Sequence, residues 1–243
     1  FQDADTYQAK VIAPNLLRIL DVKTFSNTTR VLDLGCGQGY FVKQILEVSH
    51  PQIEGVDVGD ELISLAKKHV GDKAVFTKTS ASNLSHIKDH SIDIVYSELA
   101  LQNMADLVNV IQESVRVLAK KGRMVFVLNH PAFRIPKQSD WYTSSERKAQ
   151  GRVVYTYMSV KKFTIDMNPG KKAAGLGSEE TYSFHHPLQY YGKLFQKYNL
   201  GISRIEEWIS HKKSGEGPKK YMEDDARKEI PMFMCLEIRS FIE

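Results

Sequence analysis

The stretch Arg30-Val31-Leu32-Asp33-Leu34-Gly35-Cys36-Gly37-Gln38-Gly39-Tyr40 decides the fold. Residues 31–34 read as a buried strand. A turn with glycines at 35, 37 and 39 follows at once. Residues 40–48 then read as a helix with Phe41, Val42, Ile45 and Leu46 on one face. Strand, glycine turn and helix together bring a nucleotide-like ligand against bare backbone at a helix N-terminus. Glycine is needed there because a Cβ would hold the ligand off, and because such turns use φ values that other residues resist. A dinucleotide-binding turn has the spacing G-x-G-x-x-G. Here the spacing is G-x-G-x-G, Tyr40 stands where the third dinucleotide glycine would be, and Asp33 stands two residues before the first glycine.

Working outward, residues 53–58 form a second short strand. Residues 60–70 read as a helix with Leu62, Ile63, Leu65, Ala66 and His69 on its buried side and Gly71 as its C-terminal cap. Residues 74–77 and 92–96 are a third and a fourth strand. Leu107, Val108, Ile111, Val115 and Leu118 mark an amphipathic helix that the pattern ends at Lys120-Lys121-Gly122. Residues 124–128 are a fifth strand, and residues 6–20, broken by Pro14, supply one or two helices ahead of the first. Strands alternating with helices imply a parallel sheet covered on both faces, with all strand C-termini on one edge. Ligands bind at that edge, beside the switch point of the sheet. Asp33 to Gly39, Asp57, Ser80 and Ser97 should therefore converge.

The glycine turn, its preceding Asp33 and the Asp57 that closes the second strand, 18 residues after Gly39, resemble the class I S-adenosylmethionine (SAM) dependent methyltransferases of the bacterial small-molecule type. The resemblance covers roughly residues 30–130. It implies a Rossmann-like, mostly parallel seven-stranded α/β sheet ending in a hairpin whose last strand is antiparallel. It also implies SAM as cofactor and S-adenosylhomocysteine as product. By the same resemblance Asp33 and the Gly35 carbonyl hold the methionine end, Cys36, Gly37 and Gly39 also bind the cofactor, Asp57 accepts the ribose hydroxyls and Val58 lies against the adenine. Ser80 and Ala81 border the adenine, with serine where many relatives carry Asp. Ser97, Glu98 and Leu99 border the methionine chain. An NAD site would use an acid at Asp57 as well, so that residue alone does not discriminate. Tyr40 and the absence of a convincing Tyr-x-x-x-Lys catalytic pair speak against an NAD-linked oxidoreductase.

After Asn129 the alternation stops. Residues 131–186 read as an inserted α/β lid over the ligand edge, with 153–157 and 163–167 as a hairpin or a pair of strands and 168–178 as a mobile loop. The chain thus divides into 1–130 (N-terminal helices and SAM-binding core), 131–186 (lid) and 187–243 (closing helix and strands). A helix at 188–198 starts after Pro187, and 202–209 and 232–241 complete the sheet. Methyl transfer asks for alignment more than for acid–base chemistry. An oxygen nucleophile would want a base, and His130, His185 and His186 flank the insertion. The His-His-Pro stretch at 185–187 resembles one found in bacterial small-molecule members of the family. The bland alternative is that these histidines cap and pack. Phe133, Trp141, Tyr142, Tyr155, Tyr157 and Phe184 could wall a substrate cavity or simply fill the insertion.

A chain of 243 residues suits one α/β domain with an insertion. The net charge of +4 is mild and the lysine pairs are scattered, which argues against a nucleic-acid face. No apolar run reaches the ~18 residues of a membrane helix. Cys36 and Cys235 form no metal-ligand spacing and no disulfide framework, and point to a reducing, cytoplasmic setting. The expectation is an enzyme methylating a small molecule, as monomer or homodimer, with no metal. A protein or RNA substrate, and SAM binding without turnover, are the alternatives.

Overall fold

Alternation along the strands sets the architecture. In β1 (Arg30–Leu34), Val31 packs into one apolar cluster and Leu32 and Leu34 into another. In β5 (Leu118–Asn129), Val125 and Val127 join the first cluster, and Met124, Phe126 and Leu128 the second. Strands buried on both sides belong inside a sheet covered on both faces. The computed structural model, which describes residues 4–166 and 180–241, contains that sheet. Its seven strands run in the order β3 (Val75–Lys78), β2 (Gln52–Asp57), β1, β4 (Ile92–Glu98), β5, β11 (Phe233–Ser240) and β10 (Leu200–Trp208). β1 to β5 pair in parallel, while β11 is antiparallel to both β5 and β10. This is the Rossmann-like sheet, with its antiparallel closing strand, that the sequence led us to expect.

Helices α1 (Ala13–Leu20), α2 (Tyr40–Leu46) and α3 (Asp60–Val70) bury Leu16, Phe41, Val42, Ile45, Ile63 and Ala66 on the first face. Helices α4 (Leu107–Val117) and α5 (Leu188–Lys197) bury Ile111, Leu194 and Phe195 on the second. The Asp106 side chain caps α4 by accepting from the Asn109 N–H. β1 and β4 are neighbours from which the chain leaves in opposite directions, so a crevice opens at their C-terminal ends. Arg116 on α4 steadies the loop after β3: it donates to the Leu84 and Ile87 carbonyls and pairs with Glu113 and Asp89.

Several expectations need correction. α4 ends at Val117, and Leu118 already has extended backbone, so Lys120, Lys121 and Gly122 lie in β5 rather than at a helix end. On α3, Leu62 and Leu65 are exposed, His69 is half-buried, and Val70 is buried instead. Gly71 does cap that helix, with φ +68°. The two segments read as a hairpin or a pair of strands, 153–157 and 163–167, overlap two strands that do not pair with each other. β7 (Ala149–Val154) pairs with β6 (Ser139–Ser144), and β8 (Lys161–Asp166) pairs with β9 (Glu180–His185). Among the described residues, the insertion holds these four strands and no helix. The loop expected at 168–178 lies outside the described residues. A further helix, α6 (Lys220–Glu229), buries only Ala226 and so gives no apolar stripe to read. β9 packs on the 3-10 turn Leu101–Asn103 after β4, and α6 packs on β7. No helix among the described residues is long and apolar enough to cross a membrane.

Candidate functional site

The three glycines of the turn have positive φ for different reasons. Gly35 (φ +76°) lies so close to the loop after β4 that a Cβ there would sit 2.5 Å from the Ala100 Cβ. Leu99, itself in the left-handed region at φ +47°, turns that loop back over the glycine. Gly39 (φ +79°) lets the start of α2 pack against α3 and β3, where a Cβ would meet Val70, Phe76 and Ala66 at 3.1–3.3 Å. Gly37 (φ +52°) has open space where its Cβ would be, and it lines a cleft. Gly35→Ala should therefore destabilise the protein by about 2–5 kcal/mol through overpacking and backbone strain. Gly37→Ala should cost about 1–2 kcal/mol from the left-handed backbone alone. Urea unfolding of the two variants checks the difference.

Two clefts meet at this turn. The larger, of about 580 Å³, is lined by Asp33, Gly35, Cys36, Gly37, Tyr40 and Glu98, and by Thr6 and Gln8 of the N-terminal segment. The smaller, of about 440 Å³, is lined by Gly35, Asp57, Val58, Ser80, Ala81 and Met104, and is reached by Thr181 of β9. Gly35 and Leu62 face both.

Asp57 organises the junction. Its Oδ2 accepts from the Gly37 N–H at 2.9 Å and its Oδ1 from the Gly59 N–H at 2.8 Å. The Gly35 and Cys36 N–H groups donate to the Val56 carbonyl, so the end of β2 holds the turn after β1. Each Asp57 oxygen keeps acceptor capacity for a ligand hydroxyl. Ser80 is bonded to Ser82, Oγ to Oγ at 2.8 Å. Val58 is 69% exposed beside the cleft, an apolar surface that a flat ligand would cover.

Asp33 and Glu98 make the larger cleft electrostatically distinct. Alternation places Asp33, Tyr96 and Glu98 on one face of adjacent strands, with Asp33 opposite Tyr96 in register. The Tyr96 hydroxyl donates to Asp33 Oδ2 at 2.8 Å. Asp33 is 3% exposed; burial pushes its carboxyl up to about 7 against the Tyr96 hydrogen bond, with the Asp57 charge adding to the rise. Burial likewise raises Glu98 to about 8, aided by the Asp33 charge and opposed by the Gln8 side chain. Glu98 Oε1 is buried without a hydrogen-bond partner. Cys36 is held as the neutral thiol, chiefly by burial, with its Sγ directed at the Gly37 carbonyl.

Of the other expected residues, Gly39, Ser97 and Leu99 line neither cleft. Ser97 is fully buried and its hydroxyl donates to the Leu34 carbonyl, tying β4 to β1. The three histidines are likewise elsewhere. His130 has both ring nitrogens engaged: Nε2 with Glu207 at 2.7 Å, and Nδ1 accepting from the Ala132 and Phe133 N–H groups. His185 Nε2 is bonded to the Tyr157 carbonyl at 2.7 Å. His186 stacks on Tyr190 with ring centroids 4.3 Å apart, and burial lowers its pKa to about 4. His185 and His186 line a cavity of about 30 Å³ with Gln102 and Asn129, too small for a substrate. The expectation that a histidine faces the ligand pocket is corrected to that extent. Sequence reading missed Tyr96, Gln8 and Leu62. Tyr96 was legible, being two residues before Glu98 and hence on its face; the other two reach the site only through packing. Among the described residues no cluster of His, Cys, Asp and Glu is arranged to hold a metal ion.

Residues 32–126 match the family described as Methyltransferase domain. Over that stretch, less than half of its length, the chain is similar to methyltransferase domains. The chain is also similar to the ubiquinone biosynthesis O-methyltransferase of Nitrosospira multiformis, 34% identical over 99 residues, 40% of this chain and 41% of that protein. The 27-O-demethylrifamycin SV methyltransferase of Amycolatopsis mediterranei is 30% identical over 159 residues, 62% of this chain and 54% of that one. The chain thus matches about half or less of the length of these curated relatives. The crystal structure of an S-adenosylmethionine dependent methyltransferase from Mesorhizobium loti shares the fold, with TM-score 0.67 and 20% identity over 93% of this chain and 96% of that one. The cofactor of the family is SAM, and the two clefts fit it. Glu98 supplies a buried oxygen without a partner, and Gly37 leaves open the space a Cβ would fill.

Proposed function

We propose that this protein transfers a methyl group from SAM to a small-molecule acceptor. One observation carries the reading: two clefts joined at Gly35 and Leu62, one with two buried carboxyls and the other with Asp57 beside an exposed apolar wall. That division suits a ligand with a cationic amino-acid end and a nucleoside end. Asp33 and Glu98 would receive the ammonium, Asp57 the ribose hydroxyls, and Val58, Ser80 and Ala81 the adenine. SAM, when bound, supplies a methyl group already activated on a sulfonium sulfur. The protein's own task is alignment and exclusion of water. Tyr96 fixes the Asp33 carboxyl, Asp57 fixes the glycine turn, and β9 places Thr181 at the cleft rim. We propose 131–186 as the lid and specificity region on that last contact. The matched relatives are named for small-molecule methylation, which favours such an acceptor over protein or RNA. In this reading no histidine base is required.

The test is calorimetric titration of the folded protein with SAM, S-adenosylhomocysteine and NAD. Micromolar binding of the first two, without NAD, is expected. Absence of SAM binding to folded protein would withdraw the enzyme assignment.

A further inference from the structure

A second concavity, of about 270 Å³, opens on the same sheet edge beside the N-terminal segment. Thr6 and Gln8 line the larger cofactor cleft, and Tyr7 between them lines this one. Three guanidinium groups converge here from distant parts of the chain: Arg134 and Arg152 of the insertion and Arg227 of α6. Trp141, Phe133 and Tyr7 supply aromatic walls.

Among the described residues, the arginines are held but not neutralised. Arg152 donates from Nε to the Phe133 carbonyl at 2.9 Å and from Nη2 to Ser139, and it lies over the Trp141 ring with 5.0 Å to the centroid. Its Nη1 has no protein partner among the described residues. Arg227 makes one long bond, from Nε to the Ser214 hydroxyl at 3.4 Å. The Arg134 side chain has no hydrogen-bond partner among the described residues, and none of the three forms an ion pair there. Asp140 near Arg152 and Asp224 near Arg227 act only beyond ion-pair distance; Asp224 is bonded to the Ser214 N–H. Like charges without a counter-ion repel, and burial together with the Arg134 charge depresses the Arg152 pKa. Guanidinium forks with spare donors match the paired oxygens of a carboxylate or phosphate.

We propose that this pocket binds the anionic end of the methyl acceptor, a carboxylate or phosphate attached to a flat apolar body. The assignment to the acceptor rests on the methyltransferase reading above. The aromatic walls take the body, and the arginines fix which end points away from the cofactor cleft.

Trp141 is the built-in reporter. Tryptophan fluorescence is followed while benzoate, phenyl phosphate and inorganic phosphate are titrated separately into wild type and Arg134→Gln/Arg227→Gln proteins, with Trp141→Phe giving the background from Trp208 and SAM binding measured in parallel. Arg152 is left in place because it also bonds the insertion's backbone. The expected result is saturable, salt-sensitive binding of at least one anion, at least tenfold weaker in the double arginine variant, with SAM affinity unchanged. Comparison of benzoate with phenyl phosphate tells carboxylate from phosphate. Absence of saturable binding, or binding indifferent to the arginine changes, overturns the site. Anion binding in a protein that does not bind SAM overturns the acceptor assignment by way of the enzyme reading.

Discussion

Asp33→Asn should bind SAM roughly 10- to 100-fold more weakly than wild type and yet melt several degrees higher at pH 8. Loss of affinity follows from removing a charge-assisted hydrogen bond to the ligand ammonium, worth about 1.5–3 kcal/mol. The gain in stability follows from the buried carboxyl. In the folded protein Asp33 keeps its proton up to about 7, whereas its ordinary value is 3.8. Between those limits the folded state holds more protons than the unfolded one. The stability from Asp33 is therefore fully present below about pH 4 and is lost as pH rises to about 7. Above that the ligand-free protein carries an ionised carboxylate out of water, a cost on the order of a few kcal/mol. Asparagine keeps the acceptor for Tyr96 and removes the charge. In a chain of this size each kcal/mol moves the melting temperature by about 2–4 °C. The difference between variant and wild type should grow from pH 4 to pH 7 and then level off. A residual downward slope toward pH 8 belongs to Glu98, whose carboxyl is raised in the same way. Melting curves across that pH range, with calorimetry for SAM, check both halves. A cationic ligand also needs the ionised carboxyl, so wild-type affinity should fall roughly tenfold from pH 8 to pH 6. A variant melting at or below wild type at pH 8 would mean that Asp33 is stabilised as an anion by groups other than Tyr96.

Asp57→Ala should move both observables the same way. Asp57 holds the glycine turn through the Gly37 N–H and bridges to Gly59, and it is the candidate acceptor for two ribose hydroxyls. Losing two hydrogen bonds to a charged acceptor should weaken SAM and S-adenosylhomocysteine alike by roughly 100-fold or more. Two backbone donors would turn to water instead of carboxylate, lowering the melting temperature by a few degrees. The contrast with Asp33→Asn is diagnostic. One acid limits stability in exchange for a cationic ligand, and the other serves stability and binding together. Equal affinity for both ligands in Asp57→Ala and wild type would remove the ribose assignment.

Much of this was readable in the chain. The glycine turn needed only Gly35, Gly37, Gly39 and the strand before them. The spacing of Leu107, Ile111 and their neighbours located α4, although not its end. Its end at Val117 was missed because Lys120-Lys121-Gly122 imitates a helix stop while lying in a strand bordered by β4. α6 was missed because one buried alanine leaves no periodicity. In the insertion the pairings β6–β7 and β8–β9 depend on partners chosen from several short alternating runs, which alternation alone does not rank.

The sequence by itself determined the alternation of strands and helices up to residue 129, the place of the glycine turn, and the acids Asp33 in β1 and Asp57 at the end of β2. Those are written in windows of a few residues, as backbone conformational preference and hydrophobic period. Only the tertiary structure decided which of the residues so found face a cleft. It buried Ser97 against Leu34, bonded His130 to Glu207, and took the Asp33 and Glu98 carboxyls out of water, which raises both toward neutrality. It also gathered Arg134, Arg152 and Arg227 around one pocket. Charge state and convergence depend on burial and on neighbours far along the chain, and neither exists until the sheet has formed and its faces are covered.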